Sequence, residues 1–291
     1  MTTSDKHVRW FLEVPQVVEE ALTQWLLEQG ATAMYREAAP PGAFLAYFPP
    51  GWITPEPALL LRFPGVRLVH SEAFADEDWL VKSREGFGPI LVGRSFYIRP
   101  LWDTTSVPEG RRAVVVNPGL AFGTGGHETT RLCMELLEVL AEGGKLKAPI
   151  LDIGAGTGIL ALCAWMLGAR GVTAFDSDPD CGPAMDDFLE LNALALQGEL
   201  PFVHFVGTLE DPRVVGPYQG LLANILLETI QELLPRMAEL AAPGAWLVAS
   251  GILAERQDEA LVSLVIHGFK PLKVVQEGAW IAIQAVRVQS T

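Results

Sequence analysis

The segment Ile150-Leu-Asp-Ile-Gly-Ala-Gly-Thr-Gly-Ile-Leu160 has the residue types and spacing best suited to chemistry. Its apolar start predicts a buried strand ending at Asp152, and a helix is expected to begin near Gly158. Gly154 and Gly156 let the backbone turn tightly and approach a ligand, and the helix N-terminus beyond them offers free N–H groups. The spacing is GxGxG. A dinucleotide fingerprint places its third glycine one position later, where Ile159 stands, and a phosphate loop needs Lys followed by Ser or Thr, which this segment lacks. The loop therefore suits a nucleoside without a pyrophosphate. Asp176 follows 22 residues after Gly154, at the end of an expected strand. In a doubly wound sheet that position lies beside the glycine loop, where a carboxylate can accept hydrogen bonds from both ribose hydroxyls. The alternative is that Asp176 caps the next helix, whose entry Pro179 marks.

These residues need a scaffold of alternating strands and helices, and the chain supplies one from about Arg111 onward. Apolar runs predict strands at Pro149–Ile153, Val172–Asp176, Phe202–Val206, Gly220–Asn224 and Ala245–Ser250. Helical periodicity falls at Gly158–Leu167, Pro183–Leu196 and Ile225–Leu240. Such alternation indicates βαβ units and a parallel sheet. Two closing strands, Leu272–Gln276 and Trp280–Val288, are too close for a crossover helix, so the final strand must enter antiparallel.

The first 72 residues read as a separate small domain. Val8, Trp10, Leu12 and Val14 alternate with His7, Arg9 and Glu13, the period of a half-buried strand. A helix from Pro15 to Leu27 follows, with Val18, Leu22, Trp25 and Leu26 on one face and Gly30 as its stop. Strands at Ala31–Arg36 and Phe44–Phe48, a short helix at Pro55–Leu61 and a strand at Val66–His70 complete a ferredoxin-like split βαβ order. Residues 73–110 are expected as a linker, with one short helix in DEDWLVKSREGFG and an exposed hairpin or strand pair in ILVGRSFYIRPLW. The remaining domain spans 111–291.

The glycine loop and Asp176 together resemble the class I S-adenosylmethionine-dependent methyltransferases, whose sheet also ends in an antiparallel hairpin. Asn117-Pro-Gly-Leu-Ala-Phe-Gly-Thr-Gly-Gly-His-Glu-Thr-Thr130, Ala223-Asn-Ile-Leu226 and Ser250-Gly-Ile-Leu253 narrow the resemblance to the PrmA-type ribosomal-protein lysine methyltransferases. Asp76–Trp79, the Trp102 region and the small N-terminal domain also fit. That family methylates large-subunit ribosomal protein eleven. The resemblance implies a Rossmann-like seven-stranded sheet and S-adenosylmethionine as cofactor, held by Thr130, Gly154, Asp176 and Asn224. Gly156 joins this set from the loop's own geometry. The sequence departs from the family pattern at Asn117, where an acidic residue is usual, and at the bulky Ile225-Leu-Leu after Asn224. It also lacks a second tryptophan in Trp79–Arg84.

Methyl transfer from a sulfonium is an in-line displacement, so the enzyme's main task is to align a neutral amine with the methyl group. Asn224 is the expected catalytic residue, holding that amine through its amide oxygen and the adjacent backbone carbonyl; a local strand-end turn is the alternative. Phe122 is placed with the cofactor, facing the sulfonium in a cation–π contact worth about 0.5–2 kcal/mol, with packing in a lid as the alternative. Gly119, Gly123, Gly125 and Gly126 suit a flap that closes over the cofactor. His127 fits either a general base or a packing residue of that loop. Thr129 and Thr130 fit N-capping as well as cofactor contact.

Composition bounds the partners. With 21 Lys plus Arg against 35 Asp plus Glu the formal net charge is −14, which disfavours direct nucleic-acid binding by charge neutralisation. A mean hydropathy of +0.26 prompts a search for membrane spans. The longest apolar stretch, Leu240–Ala254, is broken by Pro243, Gly244 and Gly251 and is shorter than the roughly 18 residues a span needs. The N-terminus lacks the apolar run of a secretory signal. Cys133, Cys163 and Cys181 read as reduced packing thiols, and no His or Cys spacing suggests a metal. Trp10, Trp25 and Trp165 read as packing residues. The expectation is a cytoplasmic monomer acting on a ribosomal protein before its assembly.

Overall fold

Alternation of apolar and polar side chains builds β1 (His7–Glu13), the central strand of the first of two units in the computed structural model. The described residues are 7–15, 18–31, 33–36, 44–50, 61–74, 88–117, 125–146, 149–196, 198, 200 and 202–288. The chain divides into Met1–Phe87 and Gly88–Thr291.

In the first unit, β1 pairs antiparallel with β3 (Phe44–Phe48) and β4 (Arg67–Phe74), and β2 (Ala33–Arg36) flanks β3. The order β2-β3-β1-β4 is that of the ferredoxin-like arrangement. Helix α1 (Glu19–Glu28) turns Leu22, Trp25 and Leu26 onto Trp10, Leu12, Phe44 and Phe48. Trp10 meets Phe48 edge-on at 5.1 Å, so Trp10 and Trp25 are core residues as their spacing implies. The helix expected at Pro55–Leu61 and the linker helix expected at 76–88 lie, but for Leu61 and Gly88, outside the described residues.

The second unit contains two sheets. β5 (Ile90–Val92) and β6 (Phe96–Pro100) form the expected hairpin, and β7 (Arg112–Val116) joins β6 in parallel. The hairpin is not exposed: Val92, Phe96 and Ile98 belong to the same core as helix α2 (Glu128–Glu142). One side chain explains this. Glu138, on the buried face of α2, accepts the backbone N–H groups of Arg94 at 3.0 Å and Ser95 at 2.6 Å, fastening the hairpin turn to the helix. No sequence period reports such a contact.

The larger sheet runs in the order β10-β9-β8-β11-β12-β14-β13. Its strands are β8 (Ile150–Ile153), β9 (Val172–Asp176), β10 (Val203–Val206), β11 (Tyr218–Asn224), β12 (Ala241–Leu253), β13 (Phe269–Glu277) and β14 (Trp280–Arg287). Every pairing is parallel except the two made by β14, as the short final connection requires. Successive residues face opposite cores. Ile150, Leu222, Val248 and Ala282 pack toward α2, α3 (Ile159–Met166) and α4 (Cys181–Leu196). Leu151, Leu221, Leu247 and Ile283 pack toward α5 (Leu227–Leu240) and α6 (Gln257–Ile266). Burial on both faces accounts for the near-continuous apolar runs and thus for the high mean hydropathy. Among the described residues no helix is long and apolar enough to cross a membrane. Helix α6 escapes the sequence reading because its outer face is apolar too, with Val262, Val265 and Ile266 exposed, which blurs its period.

The free edge of β7 is closed by a side chain. Asn192 of α4 is fully buried; its Oδ1 accepts the Val115 N–H at 2.9 Å and its Nδ2 donates to the Val115 carbonyl at 2.8 Å. This amide imitates a neighbouring strand. Asn192→Leu keeps the volume and strands both backbone groups, and each unsatisfied group costs about 1–3 kcal/mol. The variant is expected to lose about 3 kcal/mol in a denaturant titration. An unchanged midpoint would show that the pairing contributes nothing.

Candidate active site

Strand register decides what meets at the carboxyl edge of the sheet. Ala223 of β11 lies beside Ile153 of β8, so the next residues, Asn224 and Gly154, emerge side by side. On its other side β8 borders β9, with Ile153 beside Phe175, which brings Asp176 to the same edge. The chain order reverses between β8 and β11, and open α/β sheets hold ligands at such a switch point.

The glycine loop fits this place for backbone reasons. Gly154, Gly156 and Gly158 have φ of 67°, 55° and 81°, in the left-handed region that side chains resist. A Cβ on Gly154 would also collide with Cγ2 of Ile225, so the loop passes directly under the segment that follows Asn224. Of the bulky residues after Asn224, Ile225 therefore packs directly against the glycine loop. Asp176 supports the loop: its Oδ2 accepts the Gly156 N–H at 2.8 Å and its Oδ1 the Asp178 N–H at 3.0 Å. Helix α4 starts only at Cys181, so these bonds serve the loop and the turn after β9. Each carboxylate oxygen keeps a further lone pair for a hydroxyl.

Thr130 lies in the first turn of α2, 1% exposed. Its Oγ1 accepts from Nδ2 of Asn224 at 3.4 Å. That contact uses the donor end of the Asn224 amide and leaves Oδ1 buried without a hydrogen-bond partner. A buried acceptor without a partner costs free energy, so its retention at a cleft points to a donor that arrives with a ligand. The cleft is lined by Thr130, Asp152, Gly154, Ala155, Gly156, Ile159, Leu160 and Asn224. The expected residues Thr130, Gly154, Gly156 and Asn224 thus converge, with Asp176 joined to them through Gly156. Phe122 and most of the glycine-rich string before Gly125 lie outside the described residues.

His127 has a settled place. It is the N-cap of α2: its ring nitrogen Nδ1 lies 2.8 Å from the Thr129 hydroxyl and 3.3 Å from the Thr129 N–H. The ring meets Trp280 edge-on at 5.3 Å, and burial holds its pKa below the ordinary 6.5. Capping of α2 thus falls to His127, not to Thr129 or Thr130.

Asp152 was legible only as a letter of the loop motif. It is 1% exposed, and its Oδ2 accepts the Ala161 N–H at 3.0 Å. Burial raises its pKa from 3.8 to about 7, against the Ala161 bond and with some help from Asp176. Among the described residues no three His, Cys, Asp or Glu side chains form a metal-binding group.

The chain is similar to known proteins of one family. Residues 61–288 match the family described as Ribosomal protein L11 methyltransferase (PrmA). A ribosomal protein L11 methyltransferase of Geobacter sp. (strain M21) is 37% identical over 204 residues, covering 69% of this chain and 63% of the relative. One of Geotalea daltonii is 34% identical over 250 residues, covering 83% of this chain and 75% of the relative. The matches to the first relatives thus span less than two thirds of their length, 63% and 65% in two of them. The crystal structure of a ribosomal protein L11 methylase from Lactobacillus delbrueckii subsp. bulgaricus superposes with a TM-score of 0.59 at 25% identity, covering 70% of this chain and 99% of that one.

Proposed function

This chain belongs to the Ribosomal protein L11 methyltransferase (PrmA) family, and from that premise we propose that it transfers methyl groups from S-adenosylmethionine to lysine or other amino groups of a large-subunit ribosomal protein. The observation that carries the reading is the buried, unpartnered Oδ1 of Asn224, held in direction by Thr130 at a cleft over the glycine loop.

The residues present fit the cofactor. Gly154 and Gly156 give the close backbone approach, Asp176 the acceptors for ribose hydroxyls, and Thr130 and Asn224 the polar wall opposite. When bound, the cofactor supplies an electrophilic methyl group on a sulfonium. A lysine must reach it neutral, and at pH 7 removing its proton costs about 4.6 kcal/mol from a pKa near 10.4. Desolvation in the cleft lowers that pKa. Asn224 Oδ1 accepts one N–H of the neutral amine and turns its lone pair toward the methyl carbon. Methyl transfer would form the N–C bond at the expense of the S–C bond, and the surplus proton on nitrogen would leave to water.

The first 72 residues and the segment after them are proposed to present the protein substrate to the domain that carries the cleft. The charge of −14 draws a free, basic ribosomal protein and opposes approach to assembled ribosomal RNA, which supports a reaction before assembly, in the cytoplasm. The test is to incubate the protein with methyl-labelled S-adenosylmethionine and either free large-subunit proteins or intact ribosomes. Label is expected in a free large-subunit protein. Label only in small molecules of an extract, or none despite bound cofactor, would overturn the reading.

A further inference from the structure

The residue after Thr130 is an arginine, and it is tied to the far end of the chain. Arg131 faces Glu277, at the end of β13, in a two-pronged contact: Nε lies 3.1 Å from Oε2 and Nη2 lies 2.6 Å from Oε1. Its remaining nitrogen, Nη1, donates to the carbonyl of Gly126. Glu128 stands 3.7 Å away on the same helical turn. A second contact runs parallel to the first, since the His127 ring meets Trp280 just across the β13–β14 turn from Glu277. The tip of the antiparallel hairpin therefore grips the first turn of α2 at two points, 146 residues away in sequence from Arg131.

That grip matters because of what the turn carries. Thr130 has no freedom of its own: it is buried, and its hydroxyl is what leaves Asn224 with Oδ1 as the unpartnered end of its amide. A turn displaced by a fraction of an ångström would lengthen an already long 3.4 Å contact and free the amide to rotate. The Arg131 and Glu277 side chains are 22% and 42% exposed, and ion pairs that open to water add little to folding stability. Their planar fork instead supplies direction, because both carboxylate oxygens and the Gly126 carbonyl fix the guanidinium at once.

We propose that Arg131 and Glu277 are positioning residues that set the Thr130 hydroxyl, and through it the Asn224 amide, for cofactor and amine. The proposal rests on the methyltransferase reading. It also gives the last, antiparallel hairpin of the sheet a part in the site beyond closing the fold.

The test uses Glu277→Gln, which keeps the shape and removes the charge, and Arg131→Lys, which keeps the charge and removes the fork. Affinity for S-adenosylhomocysteine is measured by calorimetry, alongside melting temperature without ligand. Both variants are expected to bind about threefold more weakly, because misplacement at a distance is enough to degrade a site. Their melting temperatures are expected to stay within about 2 °C of the parent, because a partly exposed pair carries little stability. In turnover the loss should fall on kcat as well as KM. Unchanged affinity in both variants, or a loss matched by a drop in melting temperature, would overturn the positioning role. Failure of the parent protein itself to bind S-adenosylhomocysteine would instead overturn the methyltransferase reading.

Discussion

Asn224→Ala is expected to lower kcat by about a hundredfold to a thousandfold, the usual effect of removing one oriented polar group from an active site. Oδ1 of Asn224 is buried at the cleft, and no other group of the described residues bonds it. Alanine removes the acceptor for the amine while Thr130 keeps its place in α2. Affinity for S-adenosylhomocysteine should therefore fall only a few-fold, whereas the methylation rate collapses. Asn224→Asp offers the sharper contrast. It has nearly the same shape, but a carboxylate beside the amine favours the ammonium form, which has no lone pair to attack with. Its rate should be low at pH 7 and recover as the pH rises, where the parent rate is flatter. An alanine variant with parental kcat would mean that Asn224 is a local turn residue and that the amine is held elsewhere.

The contrast between what the sequence discloses and what it hides follows from the range of each interaction. The glycine loop and Asp176 are legible because backbone turns and strand ends are set within a few residues, and the closing hairpin because its connection is too short for a helix. The ordering of strands comes from neither periodicity nor spacing; it enters through the resemblance carried by Asn117–Thr130 and the Asn224 segment. The strand order then explains why residues 70 positions apart, Gly154 and Asn224, stand together: β8 and β11 are neighbours with Ala223 opposite Ile153. Hidden altogether are single side chains that bind distant backbone or charge. Glu138 reaches Arg94 and Ser95 across more than forty residues, Asn192 reaches Val115, and Arg131 reaches Glu277. No pattern marks such residues, since a charged or amide side chain on a helix ordinarily faces water. Asp152 illustrates a subtler gap. Its identity is plain in the motif, but its protonation depends on being sealed between β8 and α3, which only packing decides.

Asp152 yields the second large effect, and its sign can be worked through. The carboxyl titrates near 3.8 when the chain is unfolded and at about 7 when buried beside α3. The native state thus holds this proton more tightly than the unfolded state. The stabilisation associated with the proton is fully present below about pH 4 and is lost as the pH rises through 7, a change on the order of 4 kcal/mol at about 1.36 kcal/mol per pKa unit. Asp152→Asn resembles the protonated form at every pH. The stability gap between variant and parent should therefore be smallest below about pH 4, widen as the pH rises, and reach its full size by pH 8. Binding should show the opposite preference. Asp152 lines the cleft, and a bound cofactor brings a cationic amino group that favours the carboxylate. Affinity of the parent for S-adenosylhomocysteine should rise between pH 6 and 8, while that of Asp152→Asn stays nearly level and weaker at the alkaline end. Equal pH dependence of stability in both proteins would show that Asp152 ionises as freely in the folded chain as in the unfolded one. If the stability difference appears but the affinity of both proteins is flat with pH, the buried carboxyl serves only the loop and α3, and the cationic end of the cofactor is held by other groups.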